Sequence, residues 1–317
     1  MKKKIVILSG AGLDRESDIL TFRDCENGLW NNYKIDEVCT PEAWADDPTK
    51  VNDFYNMRRI EVLNAKPHRA HIALAEAEEE FNIVHVTQNV SDLLERAGCT
   101  KVIHLHGEIL KARSSNPDYD VVDDTYNNPY KTYPVGREGL TMNDMADDGF
   151  PLRPEIVWFG ESVPLLADGA KEIQEADALI IVGTSLEVYP AAGLVWHANC
   201  PIWTVDPALD FDAPPSIPTR MIKAEASYGI PIALGEIRKY FESKQALKDK
   251  ISKEVLESLD KYIGRAITQN LEHHIVQTIE TVIKPYNLSK IELDFTPQEI
   301  RIVLPELPMS IVFGIDK

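Results

Sequence analysis

Cysteine is scarce in this sequence and never clustered. The four cysteines, Cys25, Cys39, Cys99 and Cys200, form no pair at metal-ligand spacing, which favours reduced, mostly structural thiols in a reducing compartment. Positive charge is in deficit as well: 33 Lys and Arg stand against 51 Asp and Glu, for a net charge of -18. That balance argues against a nucleic-acid surface and is compatible with basic peptide partners. Long hydrophobic runs are missing. No stretch approaches the length of a membrane span, and the apolar run at 5–8 behind the lysine-rich start is shorter than a signal peptide's core. It reads as the first strand of a cytoplasmic protein. Internal repeats and low-complexity tracts are absent. What is present, 317 residues of which 44% are hydrophobic, suffices for one large domain or two ordinary ones with a real core.

The most informative segment is Gly10-Ala11-Gly12-Leu13-Asp14-Arg15-Glu16-Ser17, directly after that first strand. A short apolar run ending in closely spaced glycines predicts a buried strand, a tight turn and then a helix. Such a turn offers backbone N–H groups and a helix N-terminus to a phosphate. Four more apolar runs, at 83–87, 102–105, 178–182 and 201–205, are separated by helical stretches, including 41–80 with a break at Pro67. This alternation predicts an α/β fold on a doubly wound parallel sheet, whose ligands sit at the carboxyl ends of the strands. Gly10, Gln88, His106 and Gly183 each fall just after a strand, so four separate segments converge on one sheet edge.

Two regions differ in texture. Residues 114–150 are polar, acidic and loop-rich, with aspartates at 118, 120, 123, 124, 144, 147 and 148 and neither Cys nor His. From about residue 244, Ile251, Val255, Leu259, Ile263, Ile267, Leu271, Ile275 and Ile279 recur mostly at four-residue spacing. They predict one apolar stripe of a long helix or helix pair, ended by Pro285. Alternation at 291–295 and 300–302 around Thr296-Pro297-Gln298-Glu299 predicts a hairpin, with a third strand at 310–313.

Blocks along residues 4–243 resemble the sirtuins, the NAD-dependent protein deacylases, and within them the bacterial type associated with desuccinylation. The matching pieces are Gly10-Ala11-Gly12, Thr21-Phe22-Arg23, Gly28-Leu29-Trp30, Thr40-Pro41-Glu42-Ala43, Phe54-Tyr55-Asn56-Met57-Arg58-Arg59, Thr87-Gln88-Asn89-Val90 and His104-Leu105-His106-Gly107-Glu108. They continue with Leu152-Arg153-Pro154, Val157-Trp158-Phe159-Gly160-Glu161 and Gly183-Thr184-Ser185-Leu186-Glu187-Val188-Tyr189-Pro190. The resemblance implies a Rossmann-like catalytic domain at 1–243, with a helical insertion at 31–70 and a zinc-module remnant without zinc at 111–151. Residues 244–317 form an α+β extension, a helix plus β-hairpin, expected to self-associate as a homo-oligomer or to dock on the main domain.

The resemblance also implies roles. NAD lies across the strand ends, its diphosphate held by Gly10, Ala11 and Gly12 and by Gly183, Thr184 and Ser185. Phe22 and Arg23 lie on the nicotinamide side, Gln88 and Asn89 contact the ribose, and His106 is the general base, with Asn89 its catalytic neighbour. A histidine suits that task because its pKa lies near the working pH. An acyl-lysine peptide or protein adds as a strand between Phe159-Gly160-Glu161 and Glu187-Val188-Tyr189. Tyr55 and Arg58, three apart on one helix face, read the distal carboxylate of an acidic acyl group. No nucleic-acid or membrane partner is implied.

Three departures from the family pattern stand out. The place of the first zinc-binding cysteine pair reads Arg113-Ser114-Ser115. Asp14 replaces a serine, with Arg15 and Asp18 in place of small residues and Leu20 in place of proline. A carboxylate a few ångströms from a diphosphate is repulsive by roughly 1–4 kcal/mol, unless Arg15 offsets it or Asp14 points away. Finally, Ser91 stands where the family has the aspartate that engages the nicotinamide amide. The expected function is an NAD-dependent lysine deacylase, deacetylase or desuccinylase, of weakened activity. The alternatives are a catalytically inactive ligand-binding or assembly protein, or an NAD hydrolase or ADP-ribosyltransferase.

Overall fold

A computed structural model describes residues 2–19, 33–117, 131–208, 214–262, 269–288, 290–296, 299–305, 307 and 309–314. The chain divides into two compact units, Met1–Gly235 and Glu236–Lys317.

In the first unit the strands are β1 (Lys4–Ser9), β2 (Asn82–Thr87), β3 (Val102–His104), β4 (Gly107–Ser114), β5 (Tyr133–Pro134), β6 (Leu152–Ile156), β7 (Ala178–Val182), β8 (Ile202–Val205) and β9 (Thr219–Ile222). The helices are α1 (Ile35–Val38), α2 (Pro41–Asp46), α3 (Pro48–Asn64), α4 (Arg69–Ala77), α5 (Leu93–Ala97) and α6 (Leu166–Gln174). A six-stranded sheet runs β3-β2-β1-β7-β8-β9, every pair parallel. Four of the central residues of β1, Ile5 to Leu8, and all of β7 are fully buried, as expected of strands covered on both faces. The chain leaves β1 towards β2 on one side and returns as β7 on the other. The carboxyl ends of β1 and β7 therefore flank the topological switch point, where ligands bind in sheets of this kind.

The five strands expected from sequence are all present; β9 was not expected, its Thr219-Arg220-Met221-Ile222 being too polar to signal burial. The helical stretch 41–80 resolves into α2, α3 and α4. Thr40 and Asp47 cap α2 and α3 through their side chains, each followed by a proline at the first turn, a combination that satisfies orphan N–H groups where proline has none to lose. The break expected at Pro67 lies between α3 and α4.

A second, antiparallel sheet of order β5-β4-β6 occupies the region of the acidic stretch. Sequence alternation had not suggested it. A small cluster of Ala112, Val135, Leu140, Ala146 and Leu152 lies at its centre. Ser114 Oγ donates to Asp148 Oδ2 at 2.7 Å, and Thr141 donates through N and Oγ1 to Asp144 Oδ2. Asp144 and Asp148 thus act as turn-closing acceptors. The aspartates at 118, 120, 123 and 124 lie outside the described residues.

Helix α7 (Ala226–Leu259) begins in the first unit and continues into the second, which adds α8 (Gln269–Ile283), β10 (Glu292–Phe295), β11 (Glu299–Leu304) and β12 (Met309–Gly314). The stripe residues Ile251, Val255, Leu259, Ile275 and Ile279 are buried with Ile300, Ile302, Leu304, Ile311 and Phe313. The three strands form an antiparallel meander, matching the helix-pair and hairpin expectation; Ile263 and Ile267 lie outside the described residues.

Candidate active site

The glycine turn joins β1 to β7 by backbone alone. Gly10 N donates to Val182 O at 3.0 Å and Gly12 N to Gly183 O at 2.8 Å. A Cβ on Gly12 would stand 2.6 Å from Gly183 Cα, and one on Gly183, whose φ is +60°, would stand 2.2 Å from Leu13 N. Only glycine permits this approach. The expected helix after the turn is instead two short 3-10 turns, Ala11–Leu13 and Arg15–Ser17, ended by Asp18 in the left-handed region. Gly10 O accepts both from Leu13 N within the first of these turns at 2.9 Å and from Asn89 Nδ2 at 3.0 Å.

Gln88, Asn89 and His106 meet the turn from β2 and β3. Gln88 Nε2 donates to Thr184 Oγ1 at 3.1 Å, so the segments after β2 and β7 touch. His106 Nδ1 lies 3.1 Å from Gln88 O. A carbonyl only accepts, so Nδ1 carries the hydrogen and Nε2 keeps its lone pair. Burial pushes the His106 pKa down, a shift that the bond to Gln88 O partly opposes. His106 is thereby held as a neutral base with a fixed tautomer. Phe22 and Arg23 lie outside the described residues.

Asp14 does not present its carboxylate as a phosphate neighbour. It is 4% exposed, accepts from Ser91 Oγ at 2.6 Å and faces His71 Nε2 at 3.1 Å. His68 N donates to His71 Nδ1 at 3.3 Å, which leaves Nε2 as the hydrogen-bearing nitrogen. His68 in turn accepts from Ala70 N through Nδ1 and reaches Leu13 O through Nε2 at 2.6 Å. The first turn of α4 thus grips the glycine turn from below. Sequence reasoning assigned no role to His68 or His71; their spacing of three at a helix start, after Pro67, was the available signal.

The substrate candidates divide. Phe159, Val188 and Tyr189 are exposed large hydrophobic residues, Gly160 takes φ +93° and Glu187 is exposed. Glu161 is instead turned inward, accepting from Arg153 Nη1 at 2.7 Å, Arg113 Nη2 at 3.3 Å and Trp158 N at 2.7 Å. Arg113, at the place of the absent cysteine pair, therefore serves an ion-pair network. The Tyr55 hydroxyl is buried against Cys39 Sγ at 3.4 Å, and Arg58 pairs with Glu61 one turn along α3. Asn56 and fully buried Arg59 tie α3 to Leu140 and to Ile109 O.

The donor set suits NAD: neutral amides at 88 and 89, hydroxyls at 184 and 185, and a glycine turn at the switch point, with the nearby carboxylate turned away. It does not suit a structural zinc in the acidic stretch, whose side-chain donors are oxygen. Among the described residues, one mixed group, Glu78, His85 and Cys99, brings potential ligand atoms within 4.8 Å of one another. Glu78 already accepts there from Thr100 N and Oγ1.

The Sir2 family model matches residues 10–190. An NAD-dependent protein deacylase of Bacteroides thetaiotaomicron is 43% identical over 231 residues, covering 72% of this chain and 95% of that protein. A solved Sir2 homolog–NAD complex is 34% identical with a TM-score of 0.62, covering 75% of this chain and 91% of that one. A Sir2 complex with deacetylated p53 peptide and 3'-O-acetyl ADP ribose is 27% identical with a TM-score of 0.60, covering 74% of this chain and 94% of that one. With the matched segment spanning more than half of the sequence and containing the strand-edge residues that the geometry brings together, this chain belongs to the Sir2 family.

Proposed function

We propose that the protein is a sirtuin-type NAD-dependent lysine deacylase and that His106 is its base. The observation that carries this reading is the convergence of Gly10–Gly12, Gln88–Asn89, His106 and Gly183–Thr184 at the switch point, together with relatives of 43% identity that bear the deacylase name. NAD supplies an electrophilic ribose carbon once its nicotinamide bond is broken. The chain's own groups do the rest: the glycine turn and residues 183–185 seat the diphosphate, Gln88 and Asn89 orient the ribose, and His106 Nε2 takes a proton from a ribose hydroxyl. Arg23 and Phe22 are assigned to the nicotinamide side on the family pattern alone. The acyl-lysine segment is placed between Phe159-Gly160 and Glu187-Val188-Tyr189, whose exposure supports a docking edge. Nicotinamide release with an acyl-lysine peptide, lost in His106→Ala, tests the assignment.

Tyr55 and Arg58 are the proposed readers of the acyl group. Since Arg58 is paired with Glu61, an acidic acyl group competes with Glu61 for the guanidinium. Glu61→Gln is expected to raise kcat/KM for succinyl-lysine several-fold relative to acetyl-lysine; an unchanged ratio removes Arg58 from acyl recognition. No described helix is long and apolar enough to cross a membrane. A cytoplasmic setting is supported by the buried free thiols of Cys39, Cys99 and Cys200, whose pKa values burial pushes up to about 11, 12 and 11. Self-association through 244–317 is supported by the edge strand β12, which exposes Ser310, Val312 and Gly314 and leaves a ladder edge open to pairing. A monomeric mass in light scattering would refute it.

A further inference from the structure

Outside the residues assigned to NAD and to the peptide, three chemically unlike side chains meet where α4 ends. Glu78 caps the C-terminus of α4, His85 lies within β2, and Cys99 follows Gly98, which ends α5 in the left-handed region at φ +108°. One ligand atom from each lies within 4.8 Å of the other two. The turn into β3 fixes two of the three. Cys99 N donates to Leu94 O at 3.0 Å, and Thr100 donates through N and Oγ1 to the Glu78 carboxylate at 3.0 and 2.6 Å. The imidazole is the unsatisfied member. His85 is fully buried. Its Nε2 lies 3.3 Å from Glu78 Oε1, beyond the usual range for such a bond, and its Nδ1 is buried with no hydrogen-bond partner among the described residues. A carboxylate only accepts, so Nε2 carries the hydrogen of the neutral ring and Nδ1 keeps a lone pair that nothing meets. A buried polar atom in this state points to a missing partner. A hydrogen-bond donor or a cation would supply it. The neighbouring thiol and the two carboxylates whose charges both reach it, Glu78 and Glu95, favour the cation.

We propose that Glu78, His85 and Cys99 bind one divalent cation of the Zn2+ class, at a place distinct from the cysteine-free stretch 111–151. A carboxylate oxygen, an imidazole nitrogen and a sulfur together suit Zn2+ or Co2+, whereas Mg2+ and Ca2+ take oxygen ligands. Coordination takes Cys99 as the thiolate, its proton leaving to solvent. Three protein ligands leave a fourth position for water, and Glu78, the one of the three that solvent reaches, gives the ion its way in. The bound ion ties the end of α4 and the turn into β3 to β2, so its effect falls on stability. Nothing in this site depends on the deacylase reading.

The test is metal uptake by the full chain, stripped with a chelator that is then removed, beside Cys99→Ser, His85→Gln and Thr100→Val. The readouts are bound zinc after dialysis, by elemental analysis, and thermal melting. The unsubstituted chain is expected to hold about one Zn2+ and to gain Tm as free Zn2+ rises, with no gain from Mg2+ at the same concentration. Co2+ in place of Zn2+ is expected to give a thiolate-to-metal charge-transfer band in the near ultraviolet. Cys99→Ser is expected to remove that band and to weaken Zn2+ binding about tenfold or more, and Thr100→Val, which loosens Glu78 without touching a ligand, to weaken it about tenfold. A folded chain that takes up no Zn2+ overturns the proposal. So does uptake, or a Co2+ band, that survives in folded Cys99→Ser, since the metal then sits on another cysteine. An equal rise in Tm with Mg2+ overturns it as well. If His85→Gln fails to fold, Cys99→Ser, an exchange of one atom, still decides.

Discussion

The role proposed for His106 as a base depends on one ring nitrogen being committed and the other not. The Gln88 carbonyl fixes Nδ1–H, and burial holds the imidazole pKa below 6.5. A base of this kind is already neutral at pH 7 and loses activity only as the pH falls below the ordinary histidine range. The acid limb of kcat/KM against pH is thus expected to have its midpoint below 6.5, and His106→Ala is expected to lower kcat by about 10²–10⁴-fold. A limb centred above 7 would contradict the buried-base account. Most of these side chains were legible from sequence, because Gly10, Gln88, His106 and Gly183 each follow an apolar strand. The orientation of Asp14 was not. A side chain at a turn points either to the ligand or to the protein, and only the position of His71 and Ser91, 57 and 77 residues away, decides which.

At the scale of elements, the flank 152–161 is held by a buried charge network. Glu161 accepts from Arg153 and Arg113, and Arg153 stacks on Trp158 with its guanidinium carbon 3.2 Å from the ring centroid. Removing the charge of this carboxylate takes from two buried arginines the anion they share, a loss of about 3–5 kcal/mol. Glu161→Gln is therefore expected to lower unfolding free energy in urea by an amount of that order, with peptide KM rising as the Phe159-Gly160 edge loosens. A stability change within about 0.5 kcal/mol, the size of an ordinary surface substitution, would show that Glu161 is not an anchor. The sequence motif pointed to this block but suggested a substrate-facing glutamate. The inward turn depends on Arg113, a residue legible only as a missing cysteine. The β4–β5–β6 sheet was hidden for a similar reason. β5 is only two residues long and β4 and β6 are interrupted by charged residues, while the neighbouring loop is tied to α3 by a contact across 84 residues, Leu140 N to Asn56 Oδ1.

For the whole molecule, the loss of stability in acid has an identifiable contributor. Burial alone would raise the Glu78 pKa, but hydrogen bonds from His85 and Thr100 outweigh it and bring the carboxyl down to about 2 from an ordinary 4.5. A folded pKa below the unfolded one gives stability that is complete above about 4.5 and lost as the pH falls towards 2. Glu78→Gln is expected to lower Tm at neutral pH and to flatten the Tm profile between those limits; an unchanged profile would remove Glu78 from the account. The parallel sheet, the helix pair and the hairpin of the last 80 or so residues were readable from periodicity, since burial on one stripe or one face leaves a repeat in the sequence. The division at Gly235 and Glu236 was not, because α7 runs through it without a break in helical pattern. The central claim is that this strand edge performs NAD-dependent deacylation, and its most direct test is product analysis. The protein is incubated with NAD and a mixture of acetyl- and succinyl-lysine peptides, and the products are read by mass spectrometry beside His106→Ala. The account predicts nicotinamide and a matching acyl-ADP-ribose, both lost in the variant. Nicotinamide release that needs no acyl peptide, or none at all, would contradict it.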